Sequence, residues 1–181
     1  SRKLHEMPIG ARRSDTTACV LILTAVVTAM TMVVACRREP RISDATYRQA
    51  VTAFYVSLAA MQTSQDLHAR EEWDRLVQLV PEEAAGWANL GLLLLRQQQV
   101  DEAAQRLARA SELAPRNAPI ERLLALTESR RGNVQESIRH WQRAIQLDAA
   151  ELKAPYALAQ ELERAGGAAN EAEAQRVLDT L

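Results

Sequence analysis

Three sets of residues recur at a constant offset of 34: Trp73, Leu107 and Trp141; Leu79, Leu113 and Leu147; Ala69, Ala103 and Ser137. A fixed period of this length arises from stacked supersecondary units, each leaving an apolar face that only its neighbour can bury. Six glycines, one phenylalanine and an abundance of Ala, Leu, Gln, Glu and Arg favour helix over sheet, because unbranched side chains lose little rotamer freedom in a helix. With 48% hydrophobic and 25% charged residues, the chain can pack a core of its own. The expectation is an all-α solenoid of antiparallel helix pairs.

The charge and the chemistry-bearing residues exclude several functions. Net charge is −1, and beyond residue 35 there remain 18 basic and 21 acidic residues. The basic stripe that neutralises a phosphate backbone is missing, so no nucleic-acid partner is expected. Both cysteines, Cys19 and Cys36, precede the repeats, so neither a disulfide nor a cysteine metal site can brace them. His5, His68 and His140 are scattered. The pairs Glu71-Glu72 and Glu82-Glu83 point about 100° apart on a helix and cannot converge as acid and base. There is no phosphate-binding loop, nucleophile elbow or zinc-protease motif. No catalytic residue, metal, cofactor or small-molecule substrate is expected, and the chain reads as a non-enzyme.

Laid on the chain, the period gives units 50–83, 84–117 and 118–151 and a partial unit 152–181, with residues 43–49 extending the first helix back to a cap at Ser43. Ser57, Gly91, Ala125 and Ala159 share a slot where only a small side chain lets two helices of a hairpin approach. Ala69, Ala103 and Ser137 face them, Trp73, Leu107 and Trp141 fill the space between units, and Pro81 and Pro115 end second helices. Trp87, Leu90, Gly91, Leu94, Ala103, Leu107, Ala110 and Pro115 of the second unit resemble the tetratricopeptide repeat pattern, and the resemblance extends over residues 50–181. In the last unit, which carries Gly166-Gly167, one inserted residue aligns Ala172 with the slot of Ala103. No separate capping element is visible, so either residues 168–181 serve as the cap, helped by Glu171, Glu173 and Arg176, or the natural chain continues past Leu181, which is the favoured expectation.

In the tetratricopeptide family the first helix of each unit lines a concave groove. The resemblance implies that Phe54, Leu58 and Met61 line it in the first unit, then Leu92, Leu95 and Arg96, then Arg122, Leu126 and Arg130, then Lys153, Tyr156 and Arg164. Such a groove runs from apolar to basic and suits a peptide or partner protein with an apolar segment and an acidic or carboxylate end. The alternative is that the arginines pair with groove neighbours and the leucines only pack. A carboxylate clamp of the kind some family members carry is not matched. Asn89 and Lys153 fit it, whereas Phe54, Leu58 and Ala157 do not.

Residues 1–35 read as an address. No charge occurs from Thr16 to Ala35, Arg12 and Arg13 precede the run, and Met7 is a plausible start. Val33-Val34-Ala35-Cys36 resembles the lipobox of bacterial lipoproteins, which implies cleavage after Ala35, lipidation of Cys36 and a linker over residues 36–43. The other reading is an uncleaved anchor, since about 20 uncharged residues reach across a hydrocarbon core. The resemblance implies a bacterial cell envelope location facing periplasm or exterior, and Arg37 after the cysteine favours the outer membrane. The chain as a whole reads as a membrane-anchored interaction scaffold for a protein partner. Alternatively it is the N-terminal assembly segment of a larger envelope protein, one continuing into a propeller or enzyme domain.

Overall fold

The structure is a computed structural model that describes residues 42–180. Cys36 and the apolar run before it lie outside the described residues. Asp44–Leu181 forms a compact unit. Among the described residues there are only helices: α1 (Asp44–Gln62), α2 (Asp66–Leu79), α3 (Ala84–Arg96), α4 (Val100–Leu113), α5 (Ala118–Arg131), α6 (Val134–Leu147), α7 (Lys153–Ala165) and α8 (Ala168–Leu178). They pair in sequence as α1/α2, α3/α4, α5/α6 and α7/α8, and each pair packs on the next. Short turns between the members of a pair make them antiparallel. The second helices begin at Asp66, Val100, Val134 and Ala168, each 34 residues after the last.

The small-residue slot explains why the pairs close so tightly. Ser57, Gly91, Ala125 and Ala159 are all buried on the first helices. A Cβ added at Gly91 would stand 2.6 Å from Cγ of Leu107, which is itself 0% exposed and has nowhere to move. Serine is admitted at this interface only because a backbone carbonyl satisfies its hydroxyl: Ser57 donates to Ala53 O, and Ser137 to Ala125 O across the α5/α6 pair at 2.9 Å.

Trp73 and Leu107 fill the space between pairs completely, whereas Trp141 is half-buried. The apolar core falls into two clusters. One runs from Ala50 on α1 to Leu124 on α5, and the other joins Ile138, Leu158, Ala159, Leu162 and Ala174.

The ends of the helices repeat as faithfully as the core. Ser64, Gln98, Gly132 and Gly166, spaced by 34, take positive φ values of 58°, 62°, 83° and 69° in the turn after each first helix. Glu83, Asn117 and Glu151, also spaced by 34, cap the next first helix by accepting from the backbone N–H of Ala85, Ile120 and both Lys153 and Ala154. Pro81 and Pro115 follow the ends of α2 and α4. Where Ala149 breaks that pattern, the Asp148 carboxylate accepts from Ala150 N–H at 3.2 Å and turns the chain by a side-chain bond instead.

The last unit departs from expectation. The α8 helix starts in register at Ala168, so no inserted residue is present. Ala172 is exposed, and the buried alanine is Ala174, packed among Val177, Leu178 and Leu162. The outward side of α8 carries Ala168, Glu171, Ala172, Gln175 and Asp179, all small or polar and all exposed.

Only two of the four positive-φ residues that recur with the repeat are glycine, and a side chain in the left-handed region costs about 1–2 kcal/mol. Gln98→Gly is therefore expected to raise unfolding stability by up to about 1 kcal/mol, and Gly132→Ala to lower it by about as much. Urea midpoints at unchanged slope check this, and shifts of the same sign for both variants would contradict it.

Candidate functional site

The first helices α1, α3, α5 and α7 build one face of the stack. Leu58, Leu92 and Leu126 stand 34 residues apart on it, the first two half-buried and Leu126 36% exposed. Tyr156 on α7 continues the apolar character and is 55% exposed. Together they form a line of apolar side chains that the stack itself leaves partly open.

Beside this line runs a second one. Arg96, Arg130 and Arg164 close the last turns of α3, α5 and α7, and each Nη1 donates to a main-chain carbonyl of the preceding first helix: Met61 O at 3.0 Å, Leu95 O at 2.9 Å and Ser129 O at 3.2 Å. Donors and acceptors both repeat every 34 residues. The last carbonyls of a helix form the negative end of its dipole, and these three, each of which also accepts an N–H of the following turn, have a second lone pair for which a guanidinium is the natural complement. Arg96 also lies 3.3 Å from Asp66, and Arg164 donates to Ser129 Oγ at 3.0 Å. Arg122 pairs with the capping carboxylate of Glu151 at 3.3 Å.

This placement revises the expected groove residue by residue. Leu95 is 2% exposed and belongs to the core, not to a binding surface. Met61 turns its sulfur toward the Trp73 indole N–H at 3.2 Å, and Phe54 sits edge-on against the Trp73 ring at 5.4 Å. Both are largely packing residues. Leu58, Leu92, Leu126 and Tyr156 retain open surface, and Lys153 is exposed at the start of α7. Asn89 donates to Ala85 O of its own helix at 2.8 Å, which accounts for it without a ligand. Among the described residues, Arg130 and Lys153 are cations of this face with no carboxylate at ion-pairing distance.

A feature with no sequence signature lies on the side of the second helices. Glu121 on α5 is 6% exposed and accepts from Ser111 Oγ of α4 at 3.2 Å, while its other oxygen meets His140 Nδ1 of α6 at 2.8 Å. Next to it Glu128 bonds Arg131 and Asn133. The Glu128 carboxylate, and after it Asp101, raise the Arg131 pKa further above its already high range. A cavity of about 750 Å³ opens over these groups between α4 and α6. Its charges are largely paired with one another, and no group of three His, Cys, Asp or Glu side chains among the described residues is placed to hold a metal ion.

Solved structures share this architecture. A fragment of MamA from Desulfovibrio magneticus RS-1 superposes with a TM-score of 0.66 at 21% identity, over 72% of this chain and 72% of that one. The fold is a tetratricopeptide solenoid. The TPR domain of Arabidopsis OM64 matches with a TM-score of 0.64 at 14% identity, over 66% of this chain and 98% of that one. The second TPR domain of human RPAP3, solved in complex with an HSP70 peptide, matches with a TM-score of 0.61 at 16% identity, over 64% of this chain and 97% of that one. No protein-family model matches the sequence, and neither does any curated protein.

The carbonyl-bound arginines give a direct test. A charged donor contributes about 1.5–3 kcal/mol to a buried hydrogen bond, and solvent exposure reduces this toward about 1 kcal/mol here. Arg130→Met is expected to lose about that amount in chemical denaturation, while the equivalent change at exposed Arg116 leaves the midpoint in place. Equal midpoints for both variants would show that the Arg130 bond contributes nothing.

Proposed function

We propose that this chain is a membrane-anchored interaction scaffold of a bacterial cell envelope, which seats a peptide or partner protein along the face built by its first helices. The carrying observation is the line Leu58, Leu92 and Leu126, continued by Tyr156. The three leucines recur with the repeat and each keeps part of its surface open, and exposed Tyr156 stands one turn before the equivalent slot on α7. A leucine left partly open at a fixed slot offers an apolar partner a row of contacts. The RPAP3 domain, a solenoid of the same fold, is itself a peptide-bound example.

The bound arginines refine which contacts would matter. Arg96 and Arg164 are committed to carbonyls and to acidic or hydroxyl neighbours. The apolar line therefore supplies most of the affinity. Arg130 and Lys153 draw the acidic part of a partner toward α5 and α7, an effect expressed mainly in association rate and salt dependence.

Anchoring rests on the sequence: the uncharged run from Thr16 to Ala35, the basic residues before it and the cysteine after it. Lipidation at Cys36 supplies acyl chains that hold the scaffold at a membrane without a spanning helix. Among the described residues no helix is long and apolar enough to cross a membrane.

Photo-crosslinking residues placed at Leu92 and Leu126 in cells are expected to capture one common partner, while the same group at Leu67, 80% exposed on α2, does not. Leu126→Glu removes the adduct from the Leu92 site. Adducts that are the same at all three positions would sink the groove reading. Independently, Cys36→Ser is expected to abolish labelling by radioactive palmitate and to release or mislocalise the protein. Unchanged labelling would overturn the lipidation reading.

A further inference from the structure

The relief of the partner face selects the conformation of what it binds. Four slots of each first helix open onto it. On α1 they hold Val51, Phe54, Tyr55 and Leu58, all large, with Tyr55 66% exposed and Phe54 edge-on to it at 5.6 Å. On α3 the same slots hold Ala85, Ala88, Asn89 and Leu92, of which the first three are small. On α5 they hold Pro119, Arg122, Leu123 and Leu126. The bonds of Arg96 to Met61 O and of Arg130 to Leu95 O hold the ends of these three helices side by side. The shortest side chains of the face therefore run along α3, between taller ones on α1 and α5, as a trough parallel to the helices. Ala84, where α3 starts, corresponds to Ala50 in the repeat, so α1, starting at Asp44, is longer by more than a turn. That extra length carries Tyr47, 59% exposed and in line with Val51 and Tyr55, and it prolongs one wall of the trough.

The floor of this trough offers little to a peptide backbone. Of its four residues only Asn89 has a polar side chain, and its amide already donates to Ala85 O. On the α5 wall Arg122 is paired with Glu151. An extended segment pressed on such a surface gives up water at its own N–H and C=O groups and finds few bonds in return. A helix arrives with those groups satisfied, and small residues beneath it let its axis come close.

We propose that the occupant of this face is an amphipathic α-helix of a partner protein, lying along α3 with an acidic turn at the end marked by Arg96 and Arg130. The proposal rests on the partner-binding reading above and adds the conformation and direction of what is bound. One helix over Leu92 meets Leu58 and Leu126 as well, so the apolar line is the waist of a single contact. Being 13 residues long, α3 provides a floor of about 20 Å, enough for a helix of about three to four turns. The charge sits at one end, where a cavity of about 520 Å³ opens among Leu95, Arg96, Gln98, Val100 and Arg130. Arg96 has Asp66 beside it, whereas Arg130 spends one nitrogen on a carbonyl and has no carboxylate of this chain at ion-pairing distance among the described residues. An acidic side chain in the terminal turn of the incoming helix complements Arg130 there.

The test selects a displayed library of random peptides on the full chain and measures the winners as synthetic peptides. They are expected to carry apolar residues at helical spacing with Asp or Glu toward one end, to gain helix by circular dichroism on binding, and to lose binding when a central residue becomes proline. Ala88→Tyr, which fills the floor, is expected to weaken them many-fold; the fold accepts tyrosine at this slot, since Tyr156 holds it on α7. Arg130→Met is expected to slow association several-fold for peptides with the acidic end and to leave their alanine-substituted versions unaffected; no difference overturns the acidic turn. Winners that need Leu126, by loss of binding in Leu126→Glu, yet tolerate the central proline overturn the helix and leave the partner face standing. Winners indifferent to Ala88→Tyr overturn the seat on α3. A library that yields nothing sensitive to Leu126→Glu overturns the partner face and the helix together. Peptide binding that disappears as the chain self-associates assigns the trough to a second copy and overturns the partner helix.

Discussion

The last turn of each first helix is the joint on which the solenoid depends. Two things happen there at once: the chain reverses through a residue of positive φ, and in α1, α3 and α5 a carbonyl that already accepts one N–H of the turn receives a guanidinium from the next unit as well. The reversal sets the angle within a helix pair, and the arginine couples that pair to its successor. In a solenoid, where each unit touches only its neighbours, such a nearest-neighbour term multiplies along the stack. Small residues at Ser57, Gly91, Ala125 and Ala159 bring the helices close enough for the joint to form, and Leu107 shows how little tolerance remains there.

This joint also changes what the inner face can do. A row of arginines in a groove invites an electrostatic account of binding, with acidic partners drawn to free cations. Here a charge-assisted bond to a carbonyl occupies one edge of each guanidinium in the row, and a neighbour from this chain holds more of Arg96 and Arg164. Rim charges left over act on encounter rates more than on affinity. The apolar line is the part of the face with surface to offer, and the groove is better described by its leucines than by its charge.

The sequence made the period, the helix pairing, the small-residue slots and the proline stops legible, because side-chain size and backbone chemistry dictate each of them at a fixed position. Arg96, Arg130 and Arg164 were legible as a row on the correct helices, but not in their role. The acceptor is a main-chain carbonyl, and a carbonyl leaves no mark in the residue pattern. Leu95 was misplaced because its slot, held by Met61 and Ser129 in the neighbouring units, lies at the edge of the groove, where residue type does not announce how far a side chain sinks into the core. Ala172 and Ala174 were exchanged because an alanine-rich helix, with alanines at 168, 169, 172 and 174, offers several registers of nearly equal size. Ser111, Glu121 and His140 come from three helices, so only their assembly in space reveals them as a cluster.

That cluster marks a discontinuity in the stack. The apolar core of α1 to α5 ends at Ile120 and Leu124, and the second core begins at Ile138 on α6. Between them α5 buries Glu121, Thr127 and Glu128, polar groups whose desolvation must be offset by bonds to Ser111, His140, Leu123 O, Arg131 and Asn133. Apolar contacts tolerate small shifts, whereas a buried carboxylate held from two helices accepts few geometries. The third pair is thus joined to the second by the directional Ser111–Glu121 bond in addition to the apolar contacts of Ile120 and Leu124. Because the leucine line crosses this junction between Leu92 and Leu126, the polar cluster behind α5 helps to fix the spacing of the apolar contacts in front of it.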